Sequence, residues 1–258
     1  MSDAHPITQR VTPMVMVLVM VSLTALVLHL SGCALPAQRQ ASAPADGACG
    51  TELNPSDNTR LAGIEQLLRE GKPYAAIAQL DALAAQGMRS PQIDLARADA
   101  LRRIDRLEQA EVLYRGQVNG CLQGRAWHGL GLLQAQRGEQ AESIASLERA
   151  RNLQPTDAKV RNDLGYALLL AQRFEDARFE FLTVLDLVPG DARAARNLVL
   201  LTFREGRADK ARELATSLGL DAATVERLIQ SSIAMSSMAP SPPASAGSPA
   251  SPSSAAQP

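Results

Sequence analysis

The chain has 258 residues, enough for one or two domains, and a formal net charge of −1. No overall basic field therefore draws it to nucleic acid or to anionic lipid. Aromatic residues make up only 3%, Ala and Leu are abundant, and no alternating Val/Ile/Thr run bounded by turns is present, so the composition predicts an all-α fold.

The chain opens with a weakly basic stretch in which Arg10 is partly offset by Asp3, followed by fifteen uncharged residues from Met14 to Leu28. Fifteen is short for a membrane span, which needs about 20 residues, and suits the apolar region of a secretory signal. The following Leu30-Ser31-Gly32-Cys33 resembles a bacterial lipobox, Leu and two small residues before a Cys. Small residues admit the peptidase to the backbone, and the thiol accepts diacylglycerol as a thioether. Cleavage would leave Cys33 as a lipidated N-terminus; the alternative is an uncleaved anchor with an incidental Cys. Multiple acyl chains give stable attachment, each buried methylene adding roughly 0.8 kcal/mol. In the Gram-negative lipoproteins that this segment resembles, Asp after the Cys retains the protein at the inner membrane. Ala34 in that place implies sorting to the outer membrane, facing the periplasm.

Residues 1–32 are thus read as a lipoprotein signal peptide. Residues 33–56, rich in Ala, Pro, Ser and Gly, read as a flexible tether. At the other end, 23 of the 28 residues from Ser231 to Pro258 are Ser, Ala or Pro and none is charged. Such a segment cannot bury enough apolar surface to offset its ordering entropy, which predicts a disordered tail over 231–258.

Between the tails, over 57–230, lies a repeat. The segment from Gly124 to Pro155 aligns with that from Ala158 to Pro189 at an offset of 34. The first copy reads Trp127-x2-Leu130-Gly131-x2-Gln134, then Gly138, Leu147, Ala150 and Pro155. The second reads Arg161-x2-Leu164-Gly165-x2-Leu168, then Ala177-x3-Phe181 and Pro189. This resembles the tetratricopeptide (TPR) pattern at its 34-residue period. A small residue opens each second helix at Ala76, Ala110, Ser143, Ala177 and Ala211, in steps of 34, 33, 34 and 34. About five helix hairpins are expected, although the first, second and fifth lack the full Leu-Gly pair and the closing Pro. Gly131 and Gly165 would let the helices of a hairpin cross closely, with Leu130, Leu164, Leu198, Leu147 and Phe181 filling the space between hairpins. Pro155 and Pro189 would end second helices, and Asp157 and Asp191 would cap the next first helices. Gly219 to Gln230, with Leu220, Val225, Leu228 and Ile229 on one face, is expected as a helix capping the stack.

No reactive constellation is visible, and the chain is read as a non-enzyme. His5 and His29 fall in the signal region, leaving His128, which reads as a packed or solvated residue. No C-x2-C or H-E-x2-H pattern supports a metal, and no cofactor is expected beyond lipid on Cys33. Gly129-x-Gly131 has no third Gly and sits inside a helix, so it is no phosphate loop. Arg102, Arg103, Asp105 and Arg106 read as a solvated turn, and Trp127 as stacking core. Cys49 and Cys121, an even count once Cys33 is lipidated, form a candidate disulfide closing 72 residues; two unpaired thiols are the other reading.

In TPR stacks, first helices line a groove. Helical spacing puts Arg125, His128 and Leu132 on the groove stripe in the third repeat. In the fourth it gives Lys159, Asn162, Tyr166 and Leu169, and in the fifth Arg193, Arg196, Asn197 and Leu200. Arg and Asn over an apolar floor suit an extended peptide, Asn pairing with its backbone and Arg with carboxylates. The alternative is that these are ordinary solvated positions.

Val160-Arg-Asn-Asp-Leu-Gly-Tyr-Ala-Leu-Leu-Leu170 and Ala192-Arg-Ala-Ala-Arg-Asn-Leu-Val-Leu-Leu201, with the lipobox, resemble the TPR lipoproteins of tight-adherence (Tad/Flp) pilus systems, the TadD type. The resemblance covers roughly residues 14–220 and leaves out the Ser/Ala/Pro tail. It implies a pilotin-like scaffold on the outer membrane whose partner is a secretin or another pilus assembly component. Other envelope TPR scaffolds remain open: a type IV pilus pilotin, an outer-membrane assembly factor or a regulator of cell-wall synthesis.

Overall fold

The computed structural model describes residues 54–237. Among them the chain forms eleven helices and no strand: α1 (Pro55–Arg69), α2 (Pro73–Ala85), α3 (Pro91–Arg103), α4 (Leu107–Gln117), α5 (Gln123–Arg137), α6 (Gln140–Leu153), α7 (Ala158–Leu170), α8 (Phe174–Leu187), α9 (Ala192–Arg204), α10 (Ala208–Ser217) and α11 (Ala222–Ser237). Helices α1 to α10 pair as five hairpins, as the repeat predicts, and α11 packs on α9 as the capping helix. The signal peptide, Cys33, the tether with Cys49 and the tail beyond 237 lie outside the described residues. None of the described helices is long and apolar enough to cross a membrane.

The predicted limits of the stack need correction at both ends. Helix α1 begins at Pro55, with the Asn54 side chain accepting from the Asp57 amide, so 57 falls inside a helix. At the far end, α11 runs past 230 to Ser237. Ser232 is buried and Met235 packs on the core of the last hairpins, so burial carries the helix into a segment whose composition reads as tail.

Every hairpin turns in the same way. One residue per turn takes left-handed backbone: Gly71, Asp105, Gly138, Gln172 and Gly206, with φ of 71°, 64°, 78°, 60° and 76°. The amide of the next residue reaches back five positions, Lys72 to Leu67, Arg106 to Leu101, Glu139 to Gln134, Arg173 to Leu168 and Arg207 to Thr202, at 2.8 to 3.2 Å. This paired closure satisfies carbonyls that a helix end otherwise leaves open. The turn residues recur with the spacing of the small residues Ala76, Ala110, Ser143, Ala177 and Ala211, each of which is at most 1% exposed.

The first helices are mostly held at their N-termini by side chains. Ser90 accepts from the Ile93 amide at 3.2 Å; Asp157 accepts from Lys159 and Val160, and Asp191 from Arg193 and Ala194. Pro155 and Pro189 stand one residue past the caps of α6 and α8, where no further amide is needed. The second helices have no such side-chain cap. Their entry is fixed by the turn instead.

Packing follows from the absence of a side chain at three glycines. A Cβ on Gly131 would lie 2.6 Å from Leu147 Cγ, and one on Gly165 would lie 2.6 Å from the Phe181 ring. Gly129, which belongs to no phosphate loop, permits close packing in the same way, since a Cβ there would meet Tyr114 at 2.1 Å. Tyr114 is buried and its hydroxyl donates to Asp99 Oδ1 at 2.6 Å. Burial, then the Asp99 carboxylate, push this phenol well above its ordinary range. Leu130, Leu164, Leu198, Leu147 and Phe181 are all buried as expected. The core is a series of clusters, three of them shared by neighbouring hairpins and a fourth lying between the two helices of the fifth hairpin and under α11.

Charged groups tie hairpins together. Glu180 on α8 is 2% exposed and accepts from Arg151 of α6 at 2.9 Å and Arg161 of α7 at 2.6 Å. Arg178 pairs with Glu205 beyond α9. The Arg102 to Arg106 cluster is not wholly a solvated turn. Arg103 donates to the Leu68 carbonyl at 2.9 Å, closing the end of α1 from the next first helix.

Four outcomes are expected in urea unfolding followed by far-UV circular dichroism. Gly165→Ala lowers stability by about 1–3 kcal/mol, because the added methyl enters the space of Phe181. Gln172→Gly raises stability by about 0.5–1 kcal/mol and Gly138→Gln lowers it by a similar amount, since an L side chain in left-handed backbone costs about 1–2 kcal/mol before the entropy of glycine is counted. Glu180→Ala costs about 3 kcal/mol, because two guanidinium groups lose their shared carboxylate.

Candidate protein-binding groove

The first helices touch one another in sequence, α1 with α3, α3 with α5, α5 with α7 and α7 with α9, whereas no pair of second helices makes comparable contact. The first-helix layer is therefore the tight, inner side of the hairpin stack. The stripes its helices leave uncovered form one groove.

The structure places the predicted groove residues unequally. Tyr166 (40% exposed), Lys159, Arg193 and Arg196 are on the open face. Arg125 is half-buried and reaches Glu65 of α1 at 3.2 Å, spanning two hairpins. His128 is buried, with Nε2 2.8 Å from Asp163 Oδ2 on the next first helix. Asp163 Oδ1 in turn lies 3.5 Å from Arg193 Nη1, so the α5, α7 and α9 side chains form one chain across the groove. Asn162 is buried, and its Oδ1 accepts from Asn197 Nδ2 at 3.1 Å. Leu169 and Leu200, expected as apolar floor, are core residues at 0% and 5% exposure.

The reason for these corrections is a one-residue rotation. First helices bury two flanks, one against their own second helix and one against neighbouring hairpins, which leaves a narrow stripe. On α7 that stripe is Lys159, Asp163, Tyr166 and Leu170, at strides of four, three and four, not one through Asn162 and Leu169. Sequence reasoning missed Asp163 and Leu170. The stride from Lys159 to Tyr166 is the signal that would have found them.

Among the described residues, hollows lie along the groove. One of 470 Å³ sits between the third and fourth hairpins and is lined by Leu132, Ala135, Gln136, Leu147, Tyr166, Ala167 and Leu170, with Asp163 and Gln140 at its polar edge. A polar recess of 170 Å³ gathers Asp99, Arg125, His128, Gln154, Asp157 and Lys159. Another of 290 Å³ lies over Lys159, Asn162, Asp191 and Arg193. Arg125, His128, Asn162, Tyr166 and Arg193 thus line these hollows, while Arg196 and Asn197 line none of them.

Trp127 is half-buried against the core, with the Arg149 guanidinium 4.4 Å above its ring, a packed cation–π contact. Among the described residues, no group of three His, Cys, Asp or Glu is placed to hold a metal. Cys121 is disulfide-bonded, and its partner lies outside the described residues, as do Cys33 and Cys49.

No model of a known protein family matches the chain. Among solved structures it is similar to the 41-end fragment of MamA from Desulfovibrio magneticus RS-1, at 18% identity and a TM-score of 0.49, covering 68% of this chain and 98% of that one. It is also similar to YrrB, described as a TPR protein with an unusual peptide-binding site, at 18% identity and a TM-score of 0.47, covering 66% and 90%. A TPR repeat-containing protein of Pseudomonas aeruginosa is 36% identical over 197 residues, which span 75% of this chain and 76% of the relative. With five hairpins at the 34-residue period, closed by one kind of turn, this relationship makes the chain a member of the tetratricopeptide repeat proteins.

Proposed function

We propose that this chain is a lipid-anchored scaffold of the bacterial envelope that grips a segment of another protein in its groove and assists assembly of a Tad/Flp pilus secretin. The observation that carries the binding role is the α7 stripe with its hollow. Tyr166 and Leu170 stay 40% and 43% exposed beside a 470 Å³ space that packing leaves unused. Apolar surface held open on a concave face, rimmed by polar groups, is the physical mark of a binding site.

The anchoring role rests on the apolar run from Met14 to Leu28 and on Leu30-Ser31-Gly32-Cys33. A lipid on Cys33 and Ala34 after it favour the outer membrane, with the stack facing the periplasm. The disulfide at Cys121 accords with an oxidising compartment, and Cys49 is the partner that lipidation of Cys33 would leave. The pilus role rests on the resemblance of Val160–Leu170 and Ala192–Leu201 to the TadD type. Confinement to a membrane surface raises the effective concentration of the groove toward membrane-embedded partners.

Deletion of the gene in its host, scored for surface pili and for the secretin multimer in outer-membrane fractions, tests this reading. Loss of both is expected, with restoration by the unaltered gene and none by Cys33→Ala. Normal pili with normal secretin multimers would remove the pilus role and leave a scaffold for another envelope complex.

A further inference from the structure

We infer that the partner segment is an extended peptide with a large apolar side chain in the hollow between the third and fourth hairpins and an acidic side chain three residues away. This rests on the groove reading above and adds the chemistry of the partner to it.

The apolar half of the site is peculiar to one hairpin. At the position of Leu170, the other four hairpins carry Arg69, Arg103, Gln136 and Arg204. Hairpin four alone has an apolar residue there, and it is 43% exposed beside the 40% exposed Tyr166. The stack does not need it, since four hairpins pack with a polar residue in its place. At 470 Å³ the hollow falls within the range of about 300–1,000 Å³ usual for ligand pockets. Its walls, Leu132, Leu147, Ala167 and Leu170, would desolvate an aromatic or branched aliphatic side chain.

The charged half follows from which groups are already used. Asp157 and Asp191 each accept from two backbone amides at a helix start. Asp163 is held between His128 and Arg193. The acids of this face are thus engaged, while Lys159 has no ion-pair partner among the described residues and Arg193 makes only a 3.5 Å contact. What remains over the recess beside Lys159 and Arg193 is cationic donor capacity, which a carboxylate complements.

Geometry sets the spacing. Lys159 and Tyr166 lie seven residues apart on one helix face, about 10 Å at 1.5 Å per residue. A peptide in the polyproline II form of extended chain advances about 3.1 Å per residue and returns its side chains to one face about every third residue, so it covers that distance in three with both side chains toward the groove. The contact is favourable only when both halves of the site are occupied at that separation.

The experiment pans a phage-displayed library of random dodecapeptides against the full chain in mild detergent, then measures enriched synthetic peptides by fluorescence anisotropy. Peptides with Phe, Leu, Ile, Met or Trp three residues from Asp or Glu are expected. Leu170→Arg, which copies the residue of three other hairpins and so spares the fold, should weaken them about tenfold or more. Lys159→Glu should weaken them similarly, and replacing the peptide's acid by Lys should restore binding to that variant. Enriched peptides that lack this spacing, or that bind Leu170→Arg and Lys159→Glu as well as the unaltered chain, overturn the inference while leaving groove binding intact. Absence of any enrichment overturns both.

Discussion

How closely the two helices of a hairpin can approach governs everything else in this chain. Where Gly131 faces Leu147 and Gly165 faces Phe181, there is no room for one additional carbon atom. The buried small residues at the start of each second helix permit the same approach from the other side. Close approach narrows each hairpin to a thin slab whose two faces must both be covered. A slab cannot cover its own faces, so the hairpins stack, and the core becomes a chain of clusters shared between neighbours. At the open end α11 lies on α9 and covers the last slab with Leu228 and Met235.

The turns lock this geometry. The left-handed residue and the five-residue reach-back bond direct each second helix along the same path, so one angle is repeated five times. That repetition is strong enough to hold Asp105 and Gln172 in backbone that favours glycine. Ionic ties such as Arg151–Glu180–Arg161 then fix neighbouring slabs against sliding.

The groove is what this packing leaves over. Each first helix gives two flanks to the core and keeps one stripe. In most hairpins the stripe is polar and partly consumed by cross-links, as Arg125 is by Glu65 and His128 by Asp163. In the fourth hairpin it stays apolar and open. The same helix therefore serves the stack with Leu164, Leu168 and Leu169 and a partner with Tyr166 and Leu170. A one-residue step separates Leu169 at 0% exposure from Leu170 at 43%.

The sequence by itself determined the class of fold, the number of hairpins, many core residues and the helix caps Asp157 and Asp191. These depend on local chemistry and on a period, and a repeated small residue or a capping Asp is visible wherever the chain places it. It also singled out Tyr166, which stands 40% exposed on the α7 stripe. It did not reveal the turns at Asp105 and Gln172, because neither residue advertises left-handed backbone. It misplaced Leu169 and Leu200 in the groove, and it ended the last helix at 230 where burial of Ser232 and Met235 carries it to Ser237. Tertiary structure decided these, because which side of an apolar helix remains exposed depends on the angle at which neighbouring helices cover it. A periodic sequence records that a face is apolar, but only the stacked neighbours determine which part of it is left for a partner.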